Sequence, residues 1–188
     1  LEDYWLCRPV DRVAVGMRYQ EPSIGAAVDE LMDQGCVRLV VLPLFPQYSS
    51  AATGSALEAA KSETGSRWNV PEVSSVSWFY VDEGFVVALT EIARRHLDEF
   101  EPDHVVFSYH GLPESQIRKS DPSDSWCLTE ESCCAEINVV NRFCYRAQSF
   151  ATTRAVASRL ELEESTFSTT FQSRLAGQKW IEPYTDVL

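Results

Sequence analysis

Short apolar runs alternate with segments of helical period along this chain, and no other feature restricts its fold so far. V-A-V at residues 13–15 is the first strand candidate. Ser23 stands at an N-cap position, and Ile24, Val28 and Leu31 recur at helical spacing until Gly35 ends the pattern. V-R-L-V-V-L at residues 37–42 is nearly continuous in apolar side chains, as in a parallel strand covered on both faces. Pro43 and Pro46 end that run and open a loop holding Tyr48. The alternation continues with a small-residue helix over 51–62, a connection over 64–71 and a strand over 73–79. Phe85, Leu89, Ile92 and His96 mark a second helix, residues 105–107 a buried strand, 147–160 a third helix and 167–171 a further strand. Repeated β–α order predicts an α/β fold of parallel sheets flanked by helices. Ligands in such folds gather outside the carboxyl ends of strands, so the loops holding Tyr48, His110 and Gln172 compete for that position.

The 188 residues are 45% hydrophobic and 11% aromatic, enough for a packed core. A net charge of -12 argues against a nucleic-acid partner, because an acidic surface repels phosphate backbones. No apolar run nears the roughly 20 residues that span a bilayer. The chain opens on Leu1 rather than Met, and both ends read as cut, so missing targeting signals carry little weight. The expectation is a cytoplasmic protein, with peripheral membrane contact and oligomeric state left open.

Six cysteines divide into two sets. Cys7 and Cys36 stand alone, and Cys36, leading into an apolar run, reads as a buried free thiol. Cys127, Cys133, Cys134 and Cys144 fall in one segment, spaced C-x5-C-C-x9-C. That spacing lacks the short pairs of most zinc sites. Four thiolates suit a 2Fe–2S cluster, with a structural zinc ion or incidental thiols as the other readings. The acids around them, Asp121, Asp124, Glu130, Glu131 and Glu136, read as a solvated face.

His110 directly follows an apolar strand, where a neutral imidazole can accept a proton or bind a metal; a structural histidine at a turn is the other reading. His96 and His104 read as structural. Arg18 and Tyr19 also follow a strand candidate. Arg18 could pair with a carboxylate and Tyr19 could stack on a flat ring, or both are ordinary surface groups. The Tyr48 loop has neither a glycine-rich phosphate cradle nor a P-loop lysine.

Four motifs, in order from residue 13 to 186, resemble the ferrochelatase family. They are V-G-M-R-Y at 15–19, L-P-L-F-P-Q-Y-S at 42–49 with T-G-S at 53–55, F-S-Y-H-G-L-P at 107–113, and F-Q-S-R at 171–174 with W-I-E-P-Y-T-D at 180–186. The resemblance implies two Rossmann-like lobes with a porphyrin cleft between them. Residues 1–82 would end the first lobe, and 83–188 would form the second, with a cysteine insertion at about 121–148. It implies a lyase that inserts ferrous iron into protoporphyrin IX or coproporphyrin to make haem. His110 would serve as base or iron-delivery group, and Arg18, Tyr19, Tyr48, Gln172 and Trp180 would bind or support the porphyrin.

The C-Y-R-A-Q segment at 144–148 resembles the bacterial subgroup that holds a 2Fe–2S cluster within one internal segment. Another subgroup takes a ligand from the loop position that is Ser50 here, which excludes that arrangement. Family members are longer at both ends and carry a carboxylate opposite the histidine that this chain lacks. The competing readings are a chelatase for another metal or tetrapyrrole, and a non-catalytic iron–sulfur sensor or electron carrier on the same scaffold.

Overall fold

The computed structural model describes residues 11–175 and 177–188, so Cys7 lies outside the described residues. The backbone separates into two compact units. One takes the chain to Leu44 together with Ala51–Ser77, the other Phe45–Ser50 together with Trp78–Leu188. Each is mixed α/β, with a short parallel strand pair and helices around it.

In the first unit, α1 (Ile24–Asp33) begins at Ser23, whose hydroxyl accepts from the Ala26 N–H at 3.1 Å. Gly35, at φ 83°, turns the chain out of the helix in a conformation that a side chain would strain. β1 (Arg38–Val41) pairs in parallel with β2 (Glu72–Ser75), and α2 (Ser55–Gly65) lies between them in sequence and packs on α1. Arg67 ties the helices, donating from Nη2 to Asp29 at 2.7 Å and to the Gly25 carbonyl at 3.1 Å. Ala27, Val28, Leu39 and Ala60 are its buried apolar side chains.

Several expectations are corrected here. Residues 13–15 do not form a strand: 11–16 carry no regular structure, and Val13 is 80% exposed, because no described strand offers them a ladder. The run at 37–42 is not covered on both faces. Only Leu39 of β1 is buried and Val40 is 69% exposed, since a two-stranded sheet leaves one face open. The strand expected over 73–79 stops at Ser75, where pairing with β1 ends. The helix expected over 51–62 is preceded by a wide helical turn over Ser50–Gly54, and α2 runs on to Gly65. Cys36 is half-buried rather than buried.

The second unit contains α3 (Glu83–Phe100), β3 (Val105–His110), α4 (Glu114–Lys119), α5 (Tyr145–Leu160) and β4 (Phe167–Gln172). Asp82 caps α3 by accepting from the Phe85 N–H at 3.2 Å. β3 and β4 are parallel, in register from Val105 opposite Phe167 to His110 opposite Gln172. Val86, Leu89, Ala93 and Leu97 of α3 pack with Val156 and Leu160 of α5. Phe85 and Leu89 of the expected stripe join this core, but Ile92 is 53% exposed and His96 is exposed as well, and Val86, Ala93 and Leu97 take their place. A second core joins Ile117, Ala147, Phe171 and Ile181 to all four clustered cysteines. β3 is not buried on both faces either: Val106, Ser108 and His110 alternate outward while Tyr109 turns toward the core.

Candidate functional site

His110 is the last residue of β3, so the pleat puts it on the open face, one position beyond the inward Tyr109. Its Nδ1 lies 2.7 Å from the Gly111 carbonyl. A carbonyl only accepts, so Nδ1 carries the hydrogen, and in the neutral ring Nε2 keeps a free lone pair. Gly111 donates its N–H to the Gln172 carbonyl at 2.7 Å, which welds the ends of β3 and β4. A Cβ at Gly111 would meet that carbonyl at 2.8 Å and the Trp180 ring at 3.2 Å, so no side chain fits there.

A strap over residues 179–185 closes this end of the sheet. The Glu114 N–H donates to Lys179, Ile181 to Leu112, and Phe171 to Pro183, at 2.9, 3.0 and 2.8 Å. The strap seats Trp180 with its ring centroid 6.4 Å from that of His110. Trp180 is buried, and its indole N–H has no hydrogen-bond partner among the described residues. Gln172 is exposed beside His110 on the neighbouring strand.

The Tyr48 loop belongs to the same unit and is held by α5. Tyr48 donates its backbone N–H to the buried Gln148 side chain at 2.6 Å, and Gln47 donates to Thr152 at 2.8 Å. The Tyr48 ring stands edge-on to Trp78 and Phe143, at centroid distances of 6.3 and 5.3 Å. Tyr48, His110, Gln172 and Trp180 are therefore carried by one unit. Arg18 and Tyr19 belong to the other. There Arg18 donates to the Ser55 hydroxyl at 3.0 Å and lies over the Tyr19 ring at 4.7 Å, with Tyr19 81% exposed. His104 shares a 2.8 Å hydrogen bond with Ser168, a structural role.

Cys127, Cys133, Cys134 and Cys144 converge in the core as free thiols, each at most 5% exposed. Sγ of Cys133 and Cys134 are 3.7 Å apart, Cys134 touches Cys144, and Cys144 touches Cys127. The Cys127 contact, aided by burial and partly offset by the Cys134 contact, pushes Cys144 up to about 12; Cys144 and burial raise Cys134, against the pull of Arg146. Burial raises Cys133. Among the described residues, no set of three or more His, Cys, Asp or Glu side chains is arranged around one metal ion.

Asp121 corrects the expectation of a solvated acidic face. It is buried, with Oδ1 accepting from the Ser123 N–H and hydroxyl at 2.8 and 2.6 Å, and Oδ2 from the Trp126 and Cys127 N–H groups at 2.8 Å each. Burial alone would raise its pKa. The Ser123 hydroxyl and the three backbone donors outweigh burial and hold the carboxyl well below the usual range. Asp124, Glu130 and Glu136 are exposed as expected. The D-P-S start of this segment, an Asx-turn pattern, was the available signal for Asp121. Asn141, fully buried, braces the loop by donating to the Cys133 and Glu136 carbonyls at 3.0 and 2.8 Å.

A family model described as ferrochelatase matches residues 9–188. The chain belongs to the ferrochelatase family. It is 42% identical over 174 residues to a ferrochelatase of Coxiella burnetii (strain CbuG_Q212), covering 93% of this chain and 48% of that protein. Ferrochelatases of Legionella pneumophila (strain Corby) and Bdellovibrio bacteriovorus are 43% and 40% identical over 176 and 174 residues. Each match covers 93% of this chain, and 50% and 51% of those proteins. The chain spans about half the length of the curated relatives it matches. Its α/β units with parallel strand pairs accord with the chelatase fold of that family.

Proposed function

We propose that the protein containing this chain is a lyase that inserts Fe2+ into a porphyrin to form haem, with His110 at the reacting centre. The observation that carries this reading is the 2.7 Å approach of His110 Nδ1 to the Gly111 carbonyl. The Nδ1–H is committed to that carbonyl, which leaves Nε2 as a base on the exposed end of β3. Metallation replaces the two inner pyrrole N–H protons of the porphyrin with one ferrous ion, so both protons must leave. Nε2 can accept a pyrrole proton, or pass the iron to the ring nitrogens. Gln172 offers an amide beside that base, and buried Trp180 backs the His110 ring. Tyr48, held between Trp78 and Phe143, adds a further aromatic surface. By the family pattern Arg18 and Tyr19 are also porphyrin-binding residues, and residues 1–82 and 83–188 are the end of the first lobe and the second lobe.

The cysteine centre fits a 2Fe–2S cluster by its donor chemistry: four buried soft sulfurs, in contact one to the next from Cys133 through Cys134 and Cys144 to Cys127, in an apolar shell and none in a disulfide. Cys127, Cys133, Cys134 and Cys144 would hold it. When bound it would supply a one-electron redox centre, and metallation itself requires no electron. The raised thiols must lose their protons on ligation, so cluster assembly is favoured by higher pH. Free thiols in this number suit a reducing compartment, which supports a cytoplasmic location. Among the described residues no helix is long and apolar enough to cross a membrane.

The test is His110→Ala in the full-length protein. Metallation of protoporphyrin IX and coproporphyrin is expected to fall at least a hundredfold, the usual scale of a lost general base, with circular dichroism and melting unchanged. A folded variant that metallates at the wild-type rate sinks the assignment.

A further inference from the structure

One side chain connects two parts of the second unit that the sequence keeps apart. Arg146, in the first turn of α5, donates from Nη1 to Cys134 Sγ at 3.2 Å and from Nε to the Glu182 carbonyl at 2.9 Å. Its guanidinium lies over the Phe150 ring, with Cζ 4.8 Å from the centroid. The stack and the two bonds leave this planar fork little freedom, so its two arms move together. Glu182 belongs to the strap, between Ile181, bonded to Leu112, and Pro183, bonded to Phe171. The strap carries Trp180 to His110. The contacts run without a break from the cysteine sulfurs to the edge of the His110 site.

A guanidinium gains little from a neutral thiol and more from an anionic sulfur, where the bond becomes charge-assisted. We propose that Arg146 is a positioning residue that couples the charge of the cysteine centre to the strap holding Trp180. This rests on the cluster reading above. Uptake of one electron from a low-potential donor adds one negative charge to the centre, tightens the Nη1 bond to Cys134 and draws on the Glu182 carbonyl through the same fork. By linkage, a porphyrin bound at His110, the ring that Trp180 backs, shifts the reduction potential of the centre.

The test is a redox titration of the full-length, cluster-bearing protein, with and without metal-free protoporphyrin IX, as wild type, Arg146→Gln and Arg146→Lys. In the wild type, porphyrin moves the midpoint. Arg146→Gln removes a cation and a donor from the reduced state. It is expected to weaken reduction about tenfold, a midpoint 59 mV lower for one electron, and to abolish the porphyrin shift. Arg146→Lys keeps the charge without the fork, so it holds most of the midpoint and loses the shift. A wild-type protein without dithionite-bleachable visible bands overturns the cluster reading, and this inference with it. A cluster-bearing wild type whose midpoint ignores porphyrin overturns the coupling alone, as does an Arg146→Gln protein that keeps the porphyrin shift. If Arg146→Gln assembles no cluster, Arg146→Lys decides: a retained porphyrin shift there overturns the proposal.

Discussion

Neighbouring residues on β3 take opposite chemical roles because the pleat sends them to opposite faces. His110 keeps a free nitrogen on the open face, while Tyr109 is driven under α5, its hydroxyl 3.0 Å from Thr153. Burial pushes the Tyr109 phenol up to about 12, and the Thr153 bond only partly offsets it. The folded pKa lies above the unfolded value of about 10, so the neutral phenol is the form that favours folding. Its contribution is fully present below about pH 10 and is lost as pH rises through about 12. Tyr109→Phe should therefore flatten the fall in stability across that window. At neutral pH it should cost about 1 kcal/mol for the lost hydrogen bond. Denaturant melts at pH 7, 10 and 11.5, with tyrosinate absorbance followed in parallel, check both effects; an alkaline slope equal to wild type refutes the assignment.

At the scale of elements, patterns that depend on nearby residues were legible in the sequence, and those that depend on distant partners were not. Ser23 capping α1, the carboxyl-end position of His110 and the existence of α5 follow from local spacing, and the structure agrees. On α3 the period places Phe85 and Leu89 correctly but not Ile92 and His96, because several stripes fit the period equally well and only the α5 surface selects Val86, Ala93 and Leu97. β1 was misjudged because an apolar run does not reveal how many strands lie beside it. The cysteine spacing placed the thiols in one segment but not the group that shapes it. Asp121 does that, through four accepted hydrogen bonds that fix the backbone at Cys127. Arg146 was illegible because Cys134 and Glu182 lie 12 and 36 residues away. Asp121→Asn should expose the segment, since the amide sets a donor against backbone N–H groups. The expected loss is about 1–3 kcal/mol, with Cys127 alkylated several-fold faster in the metal-free protein. Mass-spectrometric alkylation rates at pH 8 measure this, and an unchanged Cys127 rate means that Asp121 does not hold the loop.

Across the whole molecule, the two units differ in what holds them. Among the described residues, the first has Leu39, Val28 and two alanines for buried apolar contact, and a two-stranded sheet of four-residue strands. Such a sheet is marginal without further cover. The second packs Phe171, Ile117, Ile181, Trp180 and the cysteines around β4, and adds the α3–α5 core. Fully burying Phe171, Ile117 and Ile181 is worth about 1.5–3 kcal/mol each, and among the described residues of the first unit only Leu39 and Val28 are buried side chains of comparable size. Local opening should follow that difference. Amides of Arg38–Val41 and Glu72–Ser75 should exchange with solvent at least tenfold faster than those of Val105–His110 and Phe167–Gln172. Loading the cysteine centre should slow exchange in the second unit most strongly, because a ligand stabilises the state that binds it. Native-state hydrogen exchange read by mass spectrometry, before and after cluster reconstitution, tests both statements. Equal protection of the two strand pairs would show that the first unit draws stability from outside its own core, whereas slowing spread evenly over both would show that they open as one.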